Sequence, residues 1–126
     1  MARPTARACK SKLERICARL PEVEMDTGGV DNRHAVYKIR NKNFAWFTDD
    51  HHGDGRLGLH LKAAPGEQET LMNTDAERYF VPPYLGPRGW VGVWLDRDDV
   101  DWAEVAELMT EAYRLTAPKR LAATLD

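Results

Sequence analysis

Three sets of residues have types and spacings that could do chemistry. The first is a basic alternation in which Lys38, Arg40 and Lys42 recur at every second residue, with Lys62 in a later segment. Phosphate recognition needs lysine and arginine held in register, each neutralising a phosphate and releasing its counterions. The second set is Asp49-Asp50-His51-His52 followed by Asp54, with His34 and His60 elsewhere. Carboxylates and imidazoles bind divalent ions. Adjacent side chains on an extended strand point to opposite faces, however, and the spacing lacks the alternating oxygen ligands and closing Glu of a calcium loop. A solvated hairpin tip accounts for the same residues, so no metal ligand is assigned. The third set is aromatic. Trp90 and Trp94 flank Gly92, which leaves a gap that another surface could approach, and Tyr84 lies just upstream. Such rings suit stacking on a ligand or a base, and they equally suit packing beneath a helix.

The sequence holds no GxxxxGK phosphate loop, GxSxG elbow or HExxH helix. Cys9 and Cys17 are the two cysteines, and neither has a histidine beside it. No catalytic residue and no cofactor is assigned, and the chain reads as a non-enzyme.

The elements that must position these groups follow from periodicity. Cys9, Leu13, Ile16, Cys17 and Leu20 form one apolar stripe, which predicts a helix from about Thr5 to Arg19. Arg7, Lys12, Arg15 and Arg19 take its other side, and Pro21 stops it. Eight residues of helix separate the two thiols by about 12 Å, beyond disulfide reach. Both are expected to serve as small apolar residues.

Glu22 to Thr27 reads as a short edge strand ended by Gly28-Gly29. In the next strand, Ala35, Tyr37 and Ile39 share one face, while His34, Lys38 and Arg40 share the other. Asn41-Lys42 is the expected turn into the return strand Asn43 to Thr48. The polar loop Asp49 to Arg56 then leads to a strand in which Leu57, Leu59 and Leu61 alternate with Gly58, His60 and Lys62. His60 and Lys62 are expected to face outward beside Lys38. A helix over about Glu67 to Met72, a turn from Asp75 to Tyr79 and a Pro/Gly-rich segment precede a strand over Trp90 to Leu95. Asp101 is placed to cap a last helix whose buried stripe includes Trp102, Val105, Met109, Ala112 and Tyr113. Pro118 ends that helix, and Leu121 to Leu125 reads as a short tail.

Short connections favour antiparallel pairing, and amphipathic helices need a sheet face to cover. The expected fold is therefore a two-layer α+β sandwich with terminal helices, roughly α-β(3–4)-α-β(1–2)-α. The chain has 126 residues, 43% of them hydrophobic and 30% charged, which fits a single domain over 1–126 with a real core. No apolar run approaches the ~20 residues of a membrane helix, and no apolar stretch follows the basic Met1 to Lys10. With unpaired thiols, this predicts a cytoplasmic protein that does not enter membranes. The sequence leaves its oligomeric state open, with a monomer favoured. The net charge of −2 rules out a uniformly basic clamp, but it is unevenly distributed. Residues 1–62 carry twelve basic and eight acidic side chains, and residues 63–126 carry six basic and twelve acidic ones. Such polarity can steer an anionic partner to one end of a molecule.

The block Pro82-Pro83-Tyr84-Leu85-Gly86-Pro87-Arg88-Gly89-Trp90-Val91 resembles the MmcQ/YjbR family of small bacterial proteins. The likeness extends to Leu20-Pro21-Glu22-Val23, Lys42-Asn43-Phe44-Ala45, Leu61-Lys62-Ala63, Leu95-Asp96, Ala112-Tyr113 and Ala117-Pro118-Lys119. It implies a secretion-chaperone-like α+β fold and DNA binding through two β wings. Carried onto this chain, the first wing is the Lys38-Arg40-Lys42 hairpin. The second is the loop around His51 to Arg56, which Asp49, Asp50 and Asp54 make acidic. Lys38, Arg40, Lys42, Lys62 and Arg88 would then contact phosphates, and weak, salt-sensitive binding is expected. The alternative is a non-catalytic ligand or protein-interaction module using the surface of Tyr84, Trp90 and Trp94.

Overall fold

The computed structural model describes residues 4–26, 34–83 and 85–125. Thr27, Gly28-Gly29 and Tyr84, on which expectations fell, lie outside the described residues, as does the side chain of His52. Six strands form one antiparallel sheet: β1 (Glu24–Asp26), β2 (Ala35–Ile39), β3 (Lys42–Asp49), β4 (Leu57–Leu61), β5 (Tyr79–Phe80) and β6 (Val91–Trp94). Their spatial order is β1-β2-β3-β4-β6-β5. Among the described residues, four helices, α1 (Ala6–Cys17), α2 (Glu67–Thr74), α3 (Trp102–Thr116) and α4 (Lys119–Ala123), complete the α+β architecture.

Alternation along the strands decides which face meets the helices. Ala35 lies opposite Phe47, which lies opposite Leu59, which lies opposite Val93, which lies opposite Tyr79. All five are buried, and with Tyr37, Ile39, Leu61 and Val91 they form the floor beneath Leu13 of α1 and Met109 of α3. The neighbouring row, Val36-Trp46-His60-Gly92-Phe80, points the other way. Burial of the Tyr37–Ile39 face is as the sequence predicts.

The helix ends are set by local chemistry. Thr5 accepts a hydrogen bond from the Ala8 amide at 3.1 Å. Asp101 caps α3 by accepting from the amides of Ala103 (3.1 Å) and Glu104 (3.2 Å). The Tyr113 hydroxyl donates to the Pro21 carbonyl at 2.8 Å, tying α3 to the chain leaving α1. Cys9 and Cys17 are both buried and free. Burial pushes their thiols up to about 11 and about 12, so both stay protonated.

Three local expectations are corrected. The β2–β3 turn uses Arg40 and Asn41, with φ of 51° and 64°, and Lys42 already pairs with Ile39 inside β3. Consecutive left-handed residues are what a two-residue hairpin turn needs to match strand twist. Tyr79 and Phe80, read as turn and irregular segment, form an edge strand on β6 because Tyr79 can fill the helix-facing row. The tail contains α4 instead of a wholly irregular segment. Among the described residues, no helix is long and apolar enough to cross a membrane.

Candidate functional site

Strand direction sorts the candidate residues into two ends of the sheet. The β2–β3 turn, the exit of β4 and the entry of β6 share one end, because Ile39 pairs with Lys42 and Leu61 pairs with both Ala45 and Val91. This turn end carries all five basic candidates: Lys38, Arg40, Lys42, Lys62 and Arg88. The loop from Asp49 to Arg56 leaves from the opposite end, where β3 finishes and β4 begins.

The five are not equivalent. Lys38 follows the buried Tyr37 and precedes the buried Ile39, so it lies on the open face of the sheet. Lys42 is directly opposite Ile39, and directly opposed residues share a face, so it lies on the helix side. A register shift between Tyr37 and Lys38 and the tight turn break the simple alternation, so the expected single basic edge becomes a hairpin tip with a lysine on each side. Arg40 is half-exposed and paired with Glu22, its Nε 3.2 Å from the carboxylate. Lys62 lines a cavity of about 340 Å³ with Glu67, Glu107 and Glu111. Arg88 is exposed on a short 3-10 turn, Gly86–Arg88. Lys38, which lies opposite Glu24 on β1, Lys42 and Arg88 are, beside Lys62 with its glutamates, the basic candidates at this end for which no ion pair is formed with a described residue.

The opposite end is acidic and folded inward. The loop contains a 3-10 turn, His51–Gly53, entered through Asp50 in a left-handed conformation. That turn carries His51 back over the sheet, its ring centroid 4.8 Å from Trp46 and 6.0 Å from His60. His34 meets Trp46 at 5.8 Å and His51 at 5.6 Å. The expected protruding, solvated tip is thus replaced by a loop whose His51 completes an aromatic cluster.

His60 was expected to face solvent. It does lie in the outward row, but it is only 2% exposed because Trp46, His51 and Phe80 close over it. Its Nε2 lies 3.5 Å from the Thr48 hydroxyl, and its buried Nδ1 has no hydrogen-bond partner. Burial, then the charges of His51 and His34, push its pKa down to about 4. Among the described residues, no group of three or more His, Cys, Asp or Glu side chains could hold a metal ion.

The aromatic candidates are also spoken for. Trp90 is buried, and its carbonyl accepts from Gln68 of α2 at 2.6 Å. Phe80 stacks on Trp94 at 4.0 Å, while the Arg56 guanidinium sits over the Trp94 ring at 3.9 Å. Arg56 is held by the buried Asp96 through two bonds of 2.6 and 3.0 Å, which raises its pKa. The gap at Gly92 is filled from within. A Cβ there would collide with the Phe80 ring, and one on Gly58 would press on the same ring at 3.1 Å. Sequence reasoning missed Phe80 and Trp46. The two glycines opposite each other's strands, Gly58 and Gly92, were the available signal for a ring lying flat across them.

The family model described as YjbR matches residues 18–115. A crystal structure of the Deinococcus radiodurans protein DR2400, described as family-model domain DUF419, is similar with a TM-score of 0.68 and 25% identity. The alignment covers 84% of this chain and 76% of that one. No curated protein matches.

Proposed function

Since the chain belongs to the YjbR family, whose model spans most of its length, we propose that it is a non-enzymatic, cytoplasmic DNA-binding protein that uses one wing rather than two. The observation that supports this reading is the segregation of charge along the strands. Lys38, Arg40, Lys42, Lys62 and Arg88 share the turn end of the sheet, with Glu22 paired to Arg40, whereas Asp49, Asp50, Asp54, Asp96 and Asp99 lie toward the other. There Arg56, Arg78 and Arg97 are each already paired with an aspartate. A hairpin tip with a lysine on each side can straddle a phosphate backbone, while an acidic end turns away from it. The Trp90 and Trp94 surface offers less support for ligand capture, because both faces of the Trp94 ring are occupied.

Fluorescence anisotropy with labelled duplex DNA across a salt series tests the proposal. Lys38, Lys42 and Arg88 together should give a log–log salt slope of about −3. Lys38→Glu/Lys42→Glu should flatten the slope toward about −1, while Arg7→Glu, exposed on the first turn of α1, should leave it unchanged. Absence of binding at about 50 mM salt, or an unaltered slope in the double variant, refutes it.

A further inference from the structure

A groove of about 810 Å³ opens on the helix layer between the C-terminal half of α1 and the middle of α3. Its floor is apolar to mixed, from Ile16, Leu20, Ala106 and Thr110. Its rims carry opposite net charge: Arg15 on α1 and Arg19 just beyond its end stand exposed on one side, and Glu107 and Glu111 stand exposed on α3, with the half-buried Arg114 of α3 beside them. Arg15, Arg19, Glu107 and Glu111 make no ion pair with any other described residue, so the groove holds opposed charges too far apart to meet across it. Arg114, half-buried on the same helix and engaged in an interaction of its own, and Lys62, which lines the neighbouring cavity with the same two glutamates, are the other cations near them; Lys62 makes no ion pair with either. One turn beyond Glu111, Leu115 is 38% exposed and continues the rim as an apolar surface.

We propose that this groove is the interface of a homodimer, closed by a second copy of the chain related by a two-fold axis running along the groove. An isologous contact requires a patch complementary to itself. A two-fold axis along the groove sets the α1 rim of each copy against the α3 rim of the other. Arg15 and Arg19 then face Glu107 and Glu111 twice over, and the rim contacts shield the two apolar floors from solvent. An axis across the groove would oppose like charges, so the charge pattern also selects the orientation. The sequence favours a monomer and leaves the oligomeric state open; the groove's complementary rims are a feature that only the folded arrangement reveals. The inference stands apart from DNA binding, since none of Lys38, Lys42 and Arg88, on which the proposed phosphate contacts rest, lines the groove.

Sedimentation equilibrium at low salt, over a range of concentrations, tests it with a charge-swap design. The wild-type chain should show twice the monomer mass, shifting to monomer as salt screens the rims. Arg15→Glu/Arg19→Glu gives two acidic rims, and Glu107→Arg/Glu111→Arg gives two basic ones. Each variant alone should be monomeric, and an equimolar mixture should regain the dimer mass, because every acidic rim then meets a basic one. All four positions are exposed, and circular dichroism of each variant checks that the fold is retained. A wild-type monomer at the highest concentration, a dimer that survives either reversal, or a mixture that stays monomeric overturns the proposal.

Discussion

His60 should make the protein acid-sensitive over a window that can be stated in advance. Its imidazole is 2% exposed, enclosed by Trp46, His51 and Phe80, with an Nδ1 that has no partner to share a proton's charge. Burial and the two neighbouring histidines lower its pKa from 6.5 to about 4. A base whose folded pKa is depressed is held neutral by the fold, so its contribution is present above the unfolded value. It is lost as pH falls from about 6.5 to about 4. At about 1.4 kcal/mol per tenfold change in proton affinity, the full loss is about 3 kcal/mol, with about 2 kcal/mol gone by pH 5. Urea unfolding at pH 7 and at pH 5 measures the difference directly. His60→Phe provides the control. It keeps a ring among rings and removes the titrating nitrogen; the partnerless Nδ1 is lost at little cost, and the Thr48 hydroxyl, which loses its 3.5 Å contact with Nε2, keeps the Gly58 carbonyl as acceptor. The variant should lose about 2 kcal/mol less than the wild type over the same interval. Equal losses in the two proteins, or a His60 ring that titrates near 6.5 by NMR, would refute the reasoning.

Two further outcomes follow from packing. Gly92→Ala should destabilise by about 1–3 kcal/mol, because its Cβ would occupy the place of the Phe80 ring. Adding Phe80→Leu should recover part of that loss in a double-mutant cycle read by thermal unfolding, whereas strict additivity would count against the contact. Cys9 and Cys17, with pKa values pushed up to about 11 and about 12, should resist a thiol reagent at pH 8 in the native state. Both should react at once in denaturant, and fast native labelling of either would contradict their burial.

What the sequence disclosed, and what it concealed, follow from the range of the interactions involved. The α1 stripe from Cys9 to Leu20 and the alternation of Ala35, Tyr37 and Ile39 are local patterns with a fixed period, and they led to the correct faces. The β2–β3 turn was displaced by one residue because Arg40 takes a left-handed conformation at φ 51°, which its side-chain type does not favour and Asn41's does. The site was less legible for a different reason. His60 alternates as an outward residue should, and alternation says which face a side chain joins without saying what lies on that face. The cover comes from His51, nine residues earlier, and from Phe80, twenty residues later, on a two-residue strand with no periodic signature. The same holds for charge. Halving the chain by residue number suggested a basic first half, but the turn end draws Arg88 from the second half and sends Asp49, Asp50 and Asp54 of the first half to the opposite end. Antiparallel strands return each hairpin to where it began, so electrostatic polarity in such a sheet runs along the strands and is invisible to any division of the sequence into halves. Arg56 makes the point sharply. By composition it offsets the acidic loop, yet in the fold Asp96, forty residues away, neutralises it and fixes it over Trp94. A phosphate arriving at that end would meet carboxylates and arginines already committed to them, which is the physical reason for placing the proposed DNA contact at the turn end of the sheet, on Lys38, Lys42 and Arg88.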